Sequence, residues 1–191
     1  MGFEALVAEI LARPAAVRLV AVDGPGGAGK STFARRLARH AGDVPVVPTD
    51  DFASWDVPLE WWPRMLEQVI APIVAGGAGH YQRFDWLDGR LAEWITVPRA
   101  PIVVIEGVSS GRRQWSELLA YTVFVTTPEA TRLRRGLDRD GDEKIEQWRA
   151  WMAEEESHYA ADGVVDRADL VVDGHPEVPH DAETEFVIAE A

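Results

Sequence analysis

The chain has 191 residues, 47% of them hydrophobic and 27% charged, an ordinary globular composition with enough length for one α/β domain and a substantial core. It carries no cysteine, which excludes a disulfide framework and a thiolate zinc site, and its five histidines show no HExxH or other metal-ligand spacing. The formal net charge of −13 argues against DNA or RNA as main partner, because gripping a phosphate backbone needs a basic face, although a locally basic pocket for one small anion is compatible with it.

In chain order, Phe3, Leu6, Val7, Ile10 and Leu11 recur at helical spacing, so residues 3–12 read as an amphipathic helix ended by Pro14. Glu4 and Glu9 interrupt what a secretory leader would need, and Leu6 stands where a myristoylation signal has Ser or Thr. No apolar run approaches the ~20 residues of a membrane span, so a cytoplasmic protein without a membrane partner is expected. Residues 17–22 form a valine-rich apolar run that fits a strand buried on both faces. A glycine-rich turn follows, and residues 31–40 read as a helix with Phe33, Ala34, Leu37 and Ala38 inward.

Residues 44–47 read as a second strand. Residues 59–75 carry helical spacing, with Pro63 near the start or at a kink and Gly76-Gly77 as the stop. Residues 102–105, 121–125 and 170–172 read as further buried strands, and 128–139 and 142–159 as helices. Apolar strands alternating with helices predict an α/β domain of three layers, a five-stranded parallel sheet covered by helices on both faces. A single domain spanning 1–191 is expected, with a small helical lid near 130–145 and a loosely held acidic tail at 175–191.

The segment Gly24-Pro25-Gly26-Gly27-Ala28-Gly29-Lys30-Ser31 matches GxxxxGK[ST] in full and in the required frame, between a buried strand and a helix. In such a P-loop the backbone N–H groups of Gly24, Gly26, Gly27, Ala28, Gly29, Lys30, Ser31 and Thr32 converge on phosphate oxygens at the positive end of the helix dipole. Glycines keep side chains out of the way of that approach. Lys30 would bridge the β- and γ-phosphates of ATP, and the Ser31 hydroxyl would ligate Mg²⁺. No NKxD guanine signature occurs, and the third strand ends in one acid followed by glycine, Glu106-Gly107, rather than in paired acids. That pattern points to small-molecule kinases rather than to GTPases or motor ATPases.

Four segments resemble the uridine kinase-like branch of P-loop kinases, which also includes pantothenate kinases. They are residues 20–32, Thr49-Asp50-Asp51-Phe52, Ile105-Glu106-Gly107-Val108, and Arg132-Leu133-Arg134-Arg135 with Arg139-Asp140 beyond it. The resemblance implies that Asp51, directly before Phe52, is the base that takes the acceptor proton. Asp50 competes for that role, or orients a metal-bound water. Glu106 would hold a water of the Mg²⁺ shell or orient the substrate.

At helical spacing Arg132, Arg135 and Arg139 share a face that could stabilise charge on the transferring phosphoryl group, whereas Arg134 points elsewhere. The alternative for this cluster is a solvated basic face paired to Asp138, Asp140 and Glu143. Gly136 and Gly141 are candidate points of relaxation for a moving lid. Tyr81, Arg83, Phe84, Asp85 and Trp86 fall where the family places acceptor contacts, with Asp51 beside them. Of the eight tryptophans, Trp55 and Trp86 are the better ligand candidates, and Trp62, Trp94, Trp115, Trp148 and Trp151 are assigned to packing.

The stretch between the second strand and Glu106 is shorter than in uridine kinases and differently composed, so the acceptor alcohol is left open, a nucleoside among the candidates. Two other readings stand beside the alcohol kinase. A nucleoside monophosphate kinase would need Arg64, Arg83 and Arg90 to hold an acceptor phosphate. A non-catalytic ATP-binding switch would need no base.

Overall fold

A computed structural model describes residues 1–54 and 57–189, so Trp55 lies outside the described residues. The elements are α1 (Phe3–Ala12), β1 (Arg18–Asp23), α2 (Lys30–His40), β2 (Val46–Pro48), α3 (Trp62–Met65), α4 (Ala71–Val74), β3 (Gly79–Asp85), β4 (Arg90–Val97), β5 (Ile102–Glu106), β6 (Leu119–Thr126), α5 (Glu129–Asp140), α6 (Ile145–Asp162), α7 (Val164–Arg167), β7 (Leu170–Asp173) and β8 (Val187–Ile188). One sheet has the order β2-β5-β1-β6-β7-β8, and β3 and β4 form a separate hairpin.

The sheet has six strands rather than the five expected. The sixth, β8, is a two-residue strand paired antiparallel to β7, too short to show a pattern in sequence. The other pairings are all parallel, which is why β5 is buried along its whole length: helices cover both faces. Alternate strand residues divide between two cores. Val20, Val22, Val104 and Val123 pack with Phe3, Leu6, Phe33 and Leu37 under α1 and α2, whereas Leu19, Val103 and Ile105 pack with Phe52, Met65, Ile70 and Trp115 on the other face.

The helix predicted over 59–75 begins at Trp62, with Pro63 in its first turn where a missing N–H costs nothing. Its middle, Leu66–Ile70, is a π-helical turn, followed by α4 with Pro72 in its own first turn. A proline inside the run cannot donate to the turn before it, which accounts for an interruption at this place. Residues 79–97 had no element assigned from sequence. They form the β3–β4 hairpin, whose turn holds Trp86.

The acidic tail is docked, not loose. Phe186 is buried against Phe3 and Phe33, the Met1 ammonium donates to the Phe186 carbonyl at 2.8 Å, and Glu183 binds Arg36 and Arg39. Among the described residues no helix is long and apolar enough to cross a membrane.

Candidate active site

β1 is central, with β5 on one side and β6 on the other, so the strand order reverses at its carboxyl end. In open α/β sheets that crevice is where ligands sit. The P-loop leaves it there. Asp23, the last residue of β1, is fully buried, and its carboxylate accepts from the N–H groups of Gly24 (2.6 Å), Ser109 (2.9 Å) and Gly111 (2.7 Å) and from the Tyr159 hydroxyl (2.9 Å). This side chain, absent from the sequence reading, ties the start of the loop to the segment after β5 and to α6. Burial pushes its carboxyl up against the pull of these donors.

The loop glycines are constrained by close protein neighbours. A Cβ on Gly24 would lie 2.3 Å from the Val125 carbonyl oxygen, and one on Gly27 2.7 Å from that of Arg132. Gly29 caps α2 in the left-handed region at φ 105°, which brings the loop into the helix without a side-chain penalty. Lys30 is buried and donates from Nζ to the Pro25 carbonyl at 2.9 Å, so its ammonium arches back over the loop.

Ser31 Oγ donates to Glu106 Oε1 at 3.0 Å, which joins the first turn of α2 to the end of β5. Glu106 is buried beside Pro48 and Val22 of the flanking strands. Burial raises its carboxyl above the usual range, while Lys30 and the Ser31 hydroxyl pull it down and the nearby charge of Asp50 pushes it up. Ser31 and Glu106 thus meet with the charge of the exposed Asp50 nearby, oxygen donors of the kind magnesium takes, although among the described residues no group of three or more acidic or histidine side chains is gathered to hold a metal ion.

Past β2 the chain makes one 3₁₀ turn, Thr49–Asp51, and this turn separates the two aspartates. Asp50 faces solvent, its carbonyl accepting from the Trp86 indole at 3.0 Å. Asp51 is half-buried, and its Oδ2 accepts from the Tyr81 hydroxyl at 2.6 Å. Burial holds the Asp51 carboxyl above its usual range, against the Tyr81 hydrogen bond and the charge of Arg83, which pull down. Phe52, behind it, packs on Tyr81 with ring centroids 4.7 Å apart.

The hairpin brings Arg83, Phe84, Asp85 and Trp86 to this edge, already engaged with one another. Arg83 pairs with Glu93 (2.8 Å) and Asp85 (3.0 Å), and Phe84 meets Trp86 edge-on at 5.4 Å. Arg64 lies over Phe52 and donates to the carbonyls of Asp51, Phe52 and Gln82. Arg90 pairs with Asp88 at the exposed turn.

Arg132, Arg135 and Arg139 stand at i, i+3 and i+7 along α5, Arg139 exposed, and Arg134 is exposed and paired to Asp138. Arg135 donates to the Gly27 carbonyl (3.0 Å) and the Gly174 carbonyl (3.0 Å). Arg132 donates to the Thr127 carbonyl at 3.2 Å and reaches Glu155 on α6 at 3.3 Å. Arg139 pairs with Asp140 and lies 5.5 Å from the ring centroid of Trp148. Gly136 packs closely on α6, because a Cβ there would sit 2.3 Å from the Trp148 indole.

Glu155 is the second buried carboxylate that sequence reasoning missed; it accepts from the Gly26 N–H at 2.7 Å. It sits in an acidic run beside the exposed Glu154 and Glu156, and nothing in that run distinguishes it.

No protein-family model matches the chain, and no curated protein matches it by sequence. Among solved structures it is similar to a possible uridine kinase from Bacillus stearothermophilus, at 19% identity over 88% of this chain and 96% of that one, with a TM-score of 0.65. It is also similar to the D-glycerate 3-kinase of Cryptococcus neoformans var. grubii, at 15% identity over 96% of this chain and 97% of that one, TM-score 0.64. A candidate fructose transport system kinase from Silicibacter sp. TM1040 shares 22% identity over 82% of this chain and 95% of that one, TM-score 0.59. At these identities what is shared is the fold, a mostly parallel sheet flanked by helices that the kinase structures named above also adopt.

Proposed function

We propose that the protein is a cytoplasmic kinase that transfers the γ-phosphoryl group of ATP to a hydroxyl of a small molecule, possessing in Asp51 the base for that step. The observation that carries this reading is the placement of Asp51: half-buried at the carboxyl end of β2, raised in proton affinity, and oriented by the Tyr81 hydroxyl at 2.6 Å. A carboxylate in that state can accept the proton of an alcohol as its oxygen attacks phosphorus. The acceptor O–P bond forms, the bond from phosphorus to the bridging oxygen breaks, the proton passes to Asp51 and ADP leaves.

Loop amides other than that of Gly26, which donates to Glu155, would hold the β- and γ-phosphates together with Lys30, and Arg132, Arg135 and Arg139 would face the charge that spreads over the transferring group. Ser31 would ligate magnesium, with Asp50 and Glu106 holding waters of its shell; bound there, the ion would neutralise phosphate charge. Tyr81, Arg83, Phe84, Asp85 and Trp86 would border the acceptor. That Arg64, Arg83 and Arg90 are all engaged with protein acceptors favours an alcohol without a phosphate over a nucleoside monophosphate. The structures named above, a possible uridine kinase and a D-glycerate 3-kinase, support a small hydroxylated acceptor.

The test is a thermal-shift screen of nucleosides, sugars, hydroxy acids and vitamin-like alcohols with MgATP analogue present, since a true acceptor raises the melting temperature by mass action. With the acceptor found, Asp51→Asn should cut turnover by about 10²–10⁴-fold while ATP binding persists. Turnover near wild type would remove Asp51 from the mechanism. Lys30→Ala should abolish transfer, and an active variant would overturn the phosphotransferase reading.

A further inference from the structure

We infer that Glu155 is a positioning residue that couples the phosphate loop to Arg132, so that loop and guanidinium meet the γ-phosphoryl group as one unit. The inference rests on the phosphotransferase reading above.

The side chain of Glu155 is 1% exposed, deep between α6 and the loop. A carboxylate taken out of water is tolerated only where donors replace the water. Three converge here: the Gly26 N–H on Oε1 at 2.7 Å, Arg132 Nη1 at 3.3 Å from Oε2, and the Trp151 indole. Lys30 adds its positive charge from nearby. Gly26 is glycine for this contact, because a Cβ would lie 3.0 Å from Glu155 Oε1 and 3.2 Å from the Trp148 ring.

A fixed negative charge beside a phosphate site weakens anion binding if it acts directly on the anion. Its use here is therefore indirect. Arg132 is held from behind by the Thr127 carbonyl and from the side by Glu155, two acceptors that restrict a long, rotamer-rich side chain to one orientation. The other carboxylate oxygen holds the third residue of the loop. One side chain thus sets the distance between loop and arginine, and α6 supplies it from outside both.

The experiment titrates the full-length protein with MgATP and with MgADP by calorimetry, for wild type, Glu155→Gln, Glu155→Ala, Arg132→Ala and the Glu155→Gln/Arg132→Ala double variant. Glutamine keeps an acceptor for the Gly26 N–H and removes the charge on Arg132. The expected result is a loss of about tenfold in the preference for ATP over ADP in Glu155→Gln, with ADP affinity unchanged within about twofold. The double variant should lose no more than Arg132→Ala alone, since both changes remove the same contact.

Equal weakening of both nucleotides, or additive losses, would mean that Glu155 only supports the fold, and tighter ATP binding would mean that it competes with the phosphate. Either result overturns the inference. Thermal melts establish that each variant is folded, and the near-isosteric glutamine carries the test if the alanine variant is not. A wild type that binds neither nucleotide would sink the phosphotransferase reading itself, an outcome distinct from any failure confined to the Glu155 variants.

Discussion

Asp50 and Asp51 are adjacent in the chain and differ in everything that matters chemically. One 3₁₀ turn sends the first to solvent and the second towards Tyr81 and Phe52. Burial then lifts the Asp51 carboxyl above its ordinary value of 3.8. A base works only when ionised, so activity should fall as pH drops through this raised value, and the acidic limb of kcat/KM should lie above the ordinary carboxylate range. The Tyr81 hydroxyl stabilises the ionised form and pulls the other way. Tyr81→Phe should therefore move the acidic limb to still higher pH, which a pH–rate profile would read directly; a limb that stays put or moves down would show that another group sets it. The sequence pattern named this pair of acids but left open which was the base. Asp23 and Glu155 were not legible at all, because their roles come from donors 86, 88, 129 and 136 residues away in the chain.

At the scale of elements, the segments with continuous apolar character were read well, and those whose burial is one-sided were not. β5 is buried throughout and its boundaries differ from the expected ones by a residue. β4 is mostly exposed, and β3 carries an irregularity between Gln82 and Phe84 that breaks its alternation. The signal that could have found the hairpin is Asp88-Gly89, a turn dipeptide, with Gly89 at φ 62° and the Asp85 carboxylate accepting from the Leu87 and Asp88 N–H groups. At the α5–α6 pair, a glycine read as a point of relaxation also makes a close packing contact. Gly136→Ala gains helix propensity but drives a methyl into Trp148, and the steric term should win, with a net destabilisation of about 1–3 kcal/mol. Urea unfolding of the variant measures it, and a stabilised protein would show that the two helices can separate without cost.

For the molecule as a whole, the chain ends are brought together on the α1–α2 face. Phe3, Phe33 and Phe186 form one aromatic cluster, from the first helix, the helix after the P-loop and the tail. Phe186→Ala should destabilise the fold by about 3–5 kcal/mol, whereas Glu183→Ala, which breaks only exposed pairs with Arg36 and Arg39, should shift the melting temperature far less. A small effect of Phe186→Ala would mean that the tail is an accessory to the core.

The amino-acid pattern by itself determined the layered α/β architecture, the position of the glycine-rich loop and the strand end at Glu106, because buried parallel strands and a glycine-rich turn are written in contiguous residues. Only the tertiary structure decided the sixth strand, the docking of the tail, the different burial of the two aspartates and the anchoring of the loop by Asp23 and Glu155. Each of these depends on which distant groups meet in space, and burial of a charge becomes visible only when the donors that offset it are in place.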